Sequence, residues 1–401
     1  MVKLILAMIV KNEEHCIRQC FERYGDLDAL AIIDTGSSDR TIEIIKEYAE
    51  EKKIAGRIIS RKWVNFSVGR NQSLLLAQLV ARELNGLPGT GPLLPEELQK
   101  WEDTYLTFTD ADNSILPKDQ TGVSDYQLSN HLIKLDCQVF LKPEIASGGG
   151  KRIIINNSYT RDIVFPIDPT KQVNYKFYCP LHEYPSTLGN QINFSTLKEC
   201  YLHNGYYGAR SRDPVKYHRD SLILREAYYS NRLDKADRDR CLFYLAQSLS
   251  ATGDYCQSKN FYLEYIKIGS SPSYQYVAYL RIASLVKDPE EKLTYYSIAY
   301  QLNPRRREAI YHLSKYFEGL KSYRVAWELL RGNCELLKKE EYQNYLFLSS
   351  NCYNYLYYEH CALMAYYSND KINFKRLISV CLTLEMSDSE KARISGHLKF
   401  V

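Results

Sequence analysis

The first 110 residues alternate short apolar runs with amphipathic segments, and this alternation limits the possible folds more than any other feature of the sequence. The apolar run 4–10 predicts a buried strand, residues 13–23 predict a helix, and residues 29–33 predict a second buried strand. Residues 41–51 again show helical periodicity, with charged residues on the outer face. Strands that alternate with helices in this way predict an α/β domain built on a parallel sheet.

The alternation continues to residue 109 with one interruption. Residues 56–59 predict a third strand, residues 70–84 a helix, and residues 104–109 a fourth strand. Between them, residues 85–103 carry several Gly and Pro residues, which is typical of an insertion that loops over the surface. Beyond residue 148, Gly and Pro separate short strand-like runs, which indicates an antiparallel extension that makes the sheet mixed.

The second half of the chain has a different, helical pattern. Apolar residues at helical spacing from Asp237 onward are followed by a turn at residues 253–255, and the pattern recurs over 307–317 and 323–330. This pattern favours tetratricopeptide-like (TPR-like) helical repeats over an irregular bundle. We therefore predict an α/β domain over residues 1–210, a linker helix over 211–236 and an all-α domain over 237–401.

Charge and hydropathy exclude several classes of protein. The 52 basic and 48 acidic residues give a net charge of only +4, and no long basic run is present, so we expect no nucleic-acid partner. The apolar run at 4–10 is too short to span a bilayer and lacks a cleavage signal, so we expect a cytoplasmic protein without a transmembrane segment. The 11 cysteines contain no CxxC pair, which suits reduced thiols.

Polar residues follow each of the first two predicted strands. Asn12 and Glu13 follow the first strand, and Asp34 and Asp39 flank the loop after the second. Because α/β sheets bind ligands at the carboxyl ends of their strands, we expect these residues to lie close together. Their oxygens suit hydrogen bonds to a nucleobase and to ribose hydroxyls. Asp39 has an alternative role as the N-cap of the helix that begins near Arg40.

Two carboxylates follow the fourth predicted strand. Asp110 and Asp112 are separated by one small residue, and oxygen ligands of this kind suit Mg²⁺ or Mn²⁺. A site with few protein ligands leaves coordination positions for phosphate oxygens and water, and the metal can neutralise a departing diphosphate. The sequence therefore predicts a divalent cation site that serves a nucleoside diphosphate.

These motifs resemble the family 2 glycosyltransferases of the GT-A fold. The likeness rests on VKNEE at 10–14, IDTGSSDRT at 33–41, GRNQS at 69–73 and TDAD at 109–112. It continues with CPLHEYP at 179–185, YLHNGY at 201–206 and FYLAQSLSATGDY at 243–255, which are similar to the branch that fuses this domain to tetratricopeptide repeats. That branch includes bacterial enzymes that glycosylate peptides. The 35 tyrosines are similar to the composition of giant-virus members, which would place the protein in the host cytoplasm or the virion.

The resemblance assigns roles to individual residues. Nucleotide-sugar binding falls to residues at the strand ends and on the following helix, namely Val10, Asn12, Glu13, Asp34, Asp39, Arg70, Asp110 and Ala111. The resemblance implies that Asp112, Asp110 and the late histidine His203 bind the metal. For His203, a structural role is the alternative. Catalysis falls to the HE pair, His182 and Glu183, with Glu183 as the general base or, alternatively, as a structural hydrogen-bonding residue. Tyr178 and Cys179 depart from the Trp and Gly usual before that pair.

The resemblance implies an inverting, metal-dependent transfer of a hexose (glucose, galactose or N-acetylglucosamine) from a UDP-sugar. Because stacked helical repeats offer a long surface, a protein or a protein-linked glycan is the expected acceptor, with hydroxylysine glycans of collagen-like proteins as one class. The sequence leaves the oligomeric state open. Two alternatives remain: a non-catalytic helical scaffold with a vestigial nucleotide pocket, and a nucleotidyltransferase, although no Gly-rich or basic phosphate loop lies near the N-terminus.

Overall fold

The structure is a computed structural model, and it divides into two compact units, Met1–Cys241 and Leu242–Val401. The residues that it describes are 3–24, 27–87, 104–108, 110–111, 113–117, 139–147, 154–160, 164–166, 175–187, 193–204, 208–230, 232–342 and 345–400.

The alternation predicted for the first 110 residues is present. Strands and helices follow in the order β1 (Lys3–Val10), α1 (Ile17–Tyr24), β2 (Ala29–Asp34), α2 (Thr41–Lys52), β3 (Ala55–Ser60), α3 (Phe66–Leu84) and β4 (Thr104–Phe108). Helix α1 begins later than the prediction at residue 13, because Asn12 has a left-handed φ of 57° and residues 12–14 hydrogen-bond to the neighbouring loop. The predicted insertion lies mostly outside the described residues.

The sheet is mixed, as the Gly and Pro pattern indicated. Strands β1, β2, β3 and β4 pair in parallel. Further strands in this sheet are β5 (Asn113–Pro117), β6 (Val139–Ser147), β7 (Ile154–Thr160), β8 (Val164–Pro166) and β11 (Asn193–Asn204). The sheet order is β3-β2-β1-β4-β8-β6-β11-β5, with β7 beside β6. A separate hairpin consists of β9 (Tyr175–Tyr178) and β10 (Tyr184–Thr187).

Strand β1 lies at the centre of the core because both of its faces are covered. Alternate residues beginning at Leu4 belong to the cluster with α1 and α2, while Ile5 and Ala7 belong to the cluster with α3. Helix α3 packs closely on β1 at Gly69, where an added Cβ would lie 2.8 Å from Ile9 Cδ1. A residue with a Cβ there would require the Ile9 side chain to move, so glycine permits this close approach.

The rest of the described chain after residue 215 is helical, and the predicted fold class, an α/β GT-A-like first part and an all-α TPR-like second part, is confirmed. The helices are α4 (Lys216–Tyr229), α5 (Lys235–Ala251), α6 (Tyr255–Ile268), α7 (Pro272–Leu285), α8 (Pro289–Leu302), α9 (Arg307–Gly319), α10 (Tyr323–Leu330), α11 (Lys339–Tyr342), α12 (Tyr355–Tyr367), α13 (Lys371–Thr383) and α14 (Asp388–Gly396). In the part of the chain that the structure describes, no helix has the length and apolar character needed to cross a membrane.

Tyrosines have a structural use in the second unit. The buried Arg306 and Glu308 form an ion pair of 2.8 Å, the Tyr353 hydroxyl donates to Glu308 Oε2 at 3.0 Å, and the Arg306 guanidinium lies 4.2 Å from the centre of the Tyr276 ring. Buried charges need such partners, because an unpaired charge in a protein interior is costly. The high tyrosine content therefore supplies hydroxyls and ring faces to a polar network inside the helical unit.

Candidate functional site

The loops after β1 and β2 are joined by hydrogen bonds at the carboxyl edge of the sheet. The Asn12 amide donates to Ser37 Oγ at 3.1 Å, and Asn12 Oδ1 accepts from the Ser38 amide at 2.8 Å. The Glu13 amide donates to Thr41 Oγ1 at 2.7 Å. Val10, the last residue of β1, accepts at its carbonyl oxygen from the amide of Thr35. The first two sequence-predicted clusters thus lie side by side.

The two aspartates of the second loop organise that loop. Asp34 is buried, and its carboxylate accepts from the amides of Gly36 and Ser37 at 3.2 and 3.0 Å, so these amides serve the loop itself. Asp39 Oδ1 accepts from the Thr41 amide at 3.0 Å and so satisfies a donor at the start of α2, although the N-cap position itself is occupied by Arg40 rather than by Asp39. Burial raises the pKa of Asp39, but the hydrogen bonds from Thr41 outweigh it and the net pKa is lowered.

A third segment, the turn at residues 208–213, forms one wall of an open pocket beside these loops. The Ala209 amide donates to Glu13 Oε2 at 2.9 Å, and Arg212 Nη2 donates to His15 Nδ1 at 3.0 Å. The pocket has a volume of about 370 Å³, and its walls include Asn12, Glu14, His15, Asp39, Ala209 and Arg212. The sequence analysis missed this turn, because nothing in its local pattern indicates that it returns to the end of β1.

Glu13, His15 and Cys16 also place ligand-type atoms within 4.8 Å of one another. Two of these atoms already have hydrogen-bond donors, since Glu13 Oε2 accepts from Ala209 and His15 Nδ1 accepts from Arg212. The Cys16 thiol donates to Glu13 Oε2 at 3.3 Å. This group is therefore a hydrogen-bonded support for the 208–213 turn.

Arg70 connects two acidic residues that are distant in sequence. Its side chain is 3% exposed; Nη2 donates to Asp110 Oδ1, and Nε donates to Glu183 Oε1 at 3.2 Å. The Glu183 side chain is 12% exposed, whereas that of Asp110 is 45% exposed and Ala111 beside it is buried. Arg70 therefore holds the predicted base next to the first carboxylate after β4.

Of the other two predicted metal ligands, only His203 is among the described residues, and its place is known from the backbone register. Asp112 lies outside the described residues, but β5 begins at the next residue, Asn113. His203 pairs with Ser114 of β5 and with Ala146 of β6 in the sheet register. Paired residues on neighbouring strands have Cα atoms about 5 Å apart, so the backbone of His203 lies beside the segment that follows Asp112.

The turn that carries His182 and Glu183 is anchored by the start of α5. Asp237 Oδ1 accepts from the Tyr184 hydroxyl at 2.9 Å and from the Cys179 thiol at 3.2 Å, and Arg240 donates twice to the His182 carbonyl oxygen. Cys179 has a φ of 64°, a conformation that glycine adopts without strain. The support of the site thus extends past residue 236, into the first turns of α5.

His182 is an exposed residue, but its imidazole lies close to other protein groups and to three cationic side chains. Desolvation and the nearby Arg240, Arg210 and Lys216 lower the pKa of His182 to about 3. At neutral pH the imidazole is therefore uncharged. It can accept or donate a hydrogen bond, but it contributes no positive charge to the site.

Comparison with known proteins identifies the domain that contains most of these residues. Residues 6–78 match the family model described as Glycosyl transferase family 2. No curated protein matches the sequence.

Several solved structures share part of the fold. Staphylococcus aureus TarS (residues 1–349, in complex with UDP) is 12% identical, and the match covers 75% of this chain and 86% of that chain with a TM-score of 0.33. YrrB, described as a TPR protein with an unusual peptide-binding site, is 10% identical and covers 46% of this chain and 84% of that chain with a TM-score of 0.31. BtubC of P. vanneervenii is 14% identical, covers 46% and 80%, and has a TM-score of 0.32.

These three TM-scores are too low to carry an argument about activity or partners. The family match is independent of them, and it spans β1, β2, β3 and most of α3, which hold the predicted nucleotide-binding residues up to Arg70. The N-terminal part of the chain therefore carries a glycosyltransferase family 2 domain.

Proposed function

We propose that this protein transfers a hexose from a UDP-sugar to an acceptor hydroxyl in a metal-dependent, inverting reaction. The observation that carries the proposal is the arrangement around Arg70, which draws Asp110 from the end of β4 and Glu183 from the β9–β10 turn to one guanidinium. A metal-side carboxylate and a carboxylate base are the two acidic functions that such a transfer needs, and Arg70, which joins them, lies within the segment 6–78 that matches the family 2 model.

The donor nucleotide fits along the carboxyl edge of the sheet. The pocket between Asn12, Asp39 and Arg212 lies after β1 and β2, whereas Asp110 lies after β4, on the other side of β1. Neighbouring strands are about 4.8 Å apart, so β2 and β4 are separated by about 10 Å. A nucleoside diphosphate spans this distance when its base is in the pocket and its phosphates lie near Asp110.

The residues near β4 suit a divalent cation. Asp110 offers a carboxylate that is close to half exposed, and the sheet register brings the His203 backbone beside the segment that follows Asp112. Two carboxylates and one imidazole form a donor set that binds Mn²⁺ or Mg²⁺ and leaves positions for phosphate oxygens. When bound, the cation would neutralise charge on the departing diphosphate.

Glu183 is the residue that we assign as the base for the acceptor hydroxyl. Arg70 fixes its Oε1, and Oε2 is the atom that we assign to the acceptor hydroxyl. As the hydroxyl oxygen forms its bond to the anomeric carbon, the bond from that carbon to the diphosphate oxygen breaks. The hydroxyl proton passes to Glu183, and the bonding electron pair leaves with UDP. Attack opposite the leaving group inverts the anomeric carbon.

We further propose that the acceptor is a protein or a protein-linked glycan that contacts the helical unit. Helix pairs such as α9 and α10, joined by a tight turn, are the kind of unit that presents long surfaces to extended partners. Peptides, glycoproteins and collagen-like proteins with hydroxylysine glycans form the acceptor panel for a test with the full chain. Sugar transfer to a small metabolite alone would contradict this part of the proposal.

The donor half of the proposal is tested by incubating the full chain with UDP-glucose, UDP-galactose or UDP-N-acetylglucosamine and Mn²⁺, without acceptor, and measuring released UDP. We expect slow release of UDP from one donor. A chelator should abolish this release because it removes the cation, and Asp112→Asn should lower it at least about a hundredfold because it removes a ligand of the cation. No release from any donor, together with no thermal shift by UDP and Mn²⁺, would favour the scaffold alternative. If Asp112→Asn retained most of the UDP release, the proposed role of Asp112 in the metal site would be wrong.

A further inference from the structure

The 208–213 turn forms part of the wall of the pocket that we propose binds the nucleotide. It is joined to the β1–α1 loop at two points, Ala209 to Glu13 and Arg212 to His15, and these contacts link residues nearly 200 positions apart in the chain. The β1–α1 loop is itself fixed to the β2–α2 loop through Asn12 and Glu14. Three segments therefore hold the pocket walls in place before any ligand binds.

The hydrogen bond to His15 orients Arg212. Because arginine always donates, His15 Nδ1 accepts, and the neutral imidazole then carries its proton on Nε2. This contact uses one of the five N–H groups of Arg212 and holds the guanidinium at the pocket wall, with other N–H groups available to a ligand. Asp39, with a lowered pKa, places a carboxylate acceptor on the same pocket.

Donor and acceptor groups on one pocket match the edge of a specific base. Uracil presents a carbonyl, an N–H and a second carbonyl along one edge, which calls for protein donors on either side of an acceptor. Cytosine has an amino group where uracil has its second carbonyl, and an unprotonated ring nitrogen. An arginine that donates to O4 of uracil would meet the amino group of cytosine at that position, whereas the O2 carbonyl is common to both bases.

Position along the sheet favours the base over the phosphates as the group that Arg212 contacts. The described pocket walls come from the ends of β1 and β2 and from the 208–213 turn, whereas the carboxylate of Asp110 follows β4. Arg212 contacts His15 in the loop after β1, and Asp39 on the β2 side lines the same pocket, so the pocket lies one to two strand spacings, about 5 to 10 Å, from the end of β4 and suits the base end of the nucleotide.

We infer that Arg212, positioned by His15, donates to the O4 carbonyl oxygen of the base and makes the site select uridine over cytidine nucleotides. This inference rests on the proposed function, because it takes the pocket as the donor-nucleotide site. His15 acts as a positioning residue, since it contacts Arg212 rather than the base. Neither residue was assigned a role from the sequence.

Calorimetric titration of the full chain with UDP and with CDP, both with Mn²⁺, tests the inference. We expect the wild type to bind UDP at least about tenfold more tightly than CDP, the scale of one hydrogen bond from a charged donor. Arg212→Met should weaken UDP binding about tenfold and bring the UDP to CDP ratio close to one. His15→Phe should lower the ratio partly, and Arg57→Met, an exposed arginine on β3, should leave it unchanged.

The ratio of UDP to CDP affinity separates base recognition by Arg212 from other roles of this residue. If Arg212→Met weakens UDP and CDP equally, Arg212 acts on the phosphates or on folding, and the inference is wrong. If Arg212→Met binds both nucleotides as the wild type does, the inference is also wrong. A wild type that binds UDP without preference over CDP would contradict base selection while leaving the proposed function intact. A wild type that binds neither nucleotide would overturn both.

Discussion

Arg70→Met is the perturbation that tests the arrangement of the site most sharply. The methionine keeps most of the length and apolar contact of the arginine stem but removes the guanidinium that contacts Asp110 and Glu183. Glu183, with a side chain 12% exposed, would lose its cationic partner in a largely buried position. Asp110 is 45% exposed, and water can replace the lost contact there.

The expected cost follows from that difference in burial. Removing one partner of a buried ion pair costs about 3 to 5 kcal/mol, and the exposure of Asp110 places this case near the lower end, at about 3 kcal/mol. The first unit runs from Met1 to Cys241, and domains of that size lose about 2 to 4 °C of melting temperature per kcal/mol. We therefore expect its transition to fall by about 6 to 12 °C.

Differential scanning calorimetry of the full chain measures this effect, with the transition of the helical unit as an internal reference. Arg57→Met is the matched control, because its ion pair with Glu83 is exposed and screened by solvent, so its loss should change stability little. The double variant Arg70→Met, Glu183→Gln should recover part of the loss, with a coupling above about 1.5 kcal/mol. Equal effects of Arg70→Met and Arg57→Met, or additive effects of the two changes at the site, would refute the reasoning.

Three further predictions concern other parts of the chain. Glu183→Gln should lower transfer to the acceptor at least about a hundredfold yet leave the affinity for UDP within about twofold; parallel loss of UDP binding would contradict its role as base. Tyr184→Phe leaves Asp237 without one buried hydrogen-bond donor, so we expect the first unit to lose about 1 kcal/mol of stability. We also expect a lower kcat with little change in the donor KM. An unchanged kcat would show that the hydrogen bond between Tyr184 and Asp237 is dispensable for activity. Burial and the nearby Lys315 lower the pKa of His360 to about 3, below its value in the unfolded chain, so the unfolded state binds more protons between pH 6.5 and 3. The helical unit should therefore lose up to about 1.4 kcal/mol of stability per unit fall in pH within that window, and His360→Gln should flatten the slope in urea unfolding; an unchanged slope would assign the dependence to other groups.

The fold was predictable where local patterns decide it. The alternation of apolar runs and helical periodicity predicted β1 to β4 with their helices, because burial on both faces of a parallel strand requires a continuous apolar run. The start of α1 was misplaced by four residues, because Asn12 is left-handed and contacts Ser38, and residues 14–16 form a turn before the helix begins at Ile17. The pairing of β11 between β5 and β6 depends on contacts distant in sequence, and no local pattern carries that information.

The candidate site shows the same division. Asn12, Asp34 and Asp39 were identified from their positions at strand ends, and the structure places them together. The turn at 208–213 was missed, because its contact with Glu13 arises only when the chain returns to the first strand. The anchoring of the HE turn by Asp237 was also missed, since a carboxylate in the first turn of a helix is common for reasons of helix stability alone.

The central claim, transfer of a sugar from a nucleotide donor, is tested most directly by phosphorus NMR of the reaction products. The full chain is incubated with UDP-glucose, UDP-galactose, UDP-N-acetylglucosamine and Mn²⁺, and the metal is removed by chelation before the spectrum is recorded. The proposal predicts that the two resonances of UDP appear and that one donor is consumed. Sugar 1-phosphate in place of UDP would indicate a nucleotidyltransferase, which transfers UMP rather than the sugar. Three intact donors, with no UDP bound in calorimetry, would contradict the claim.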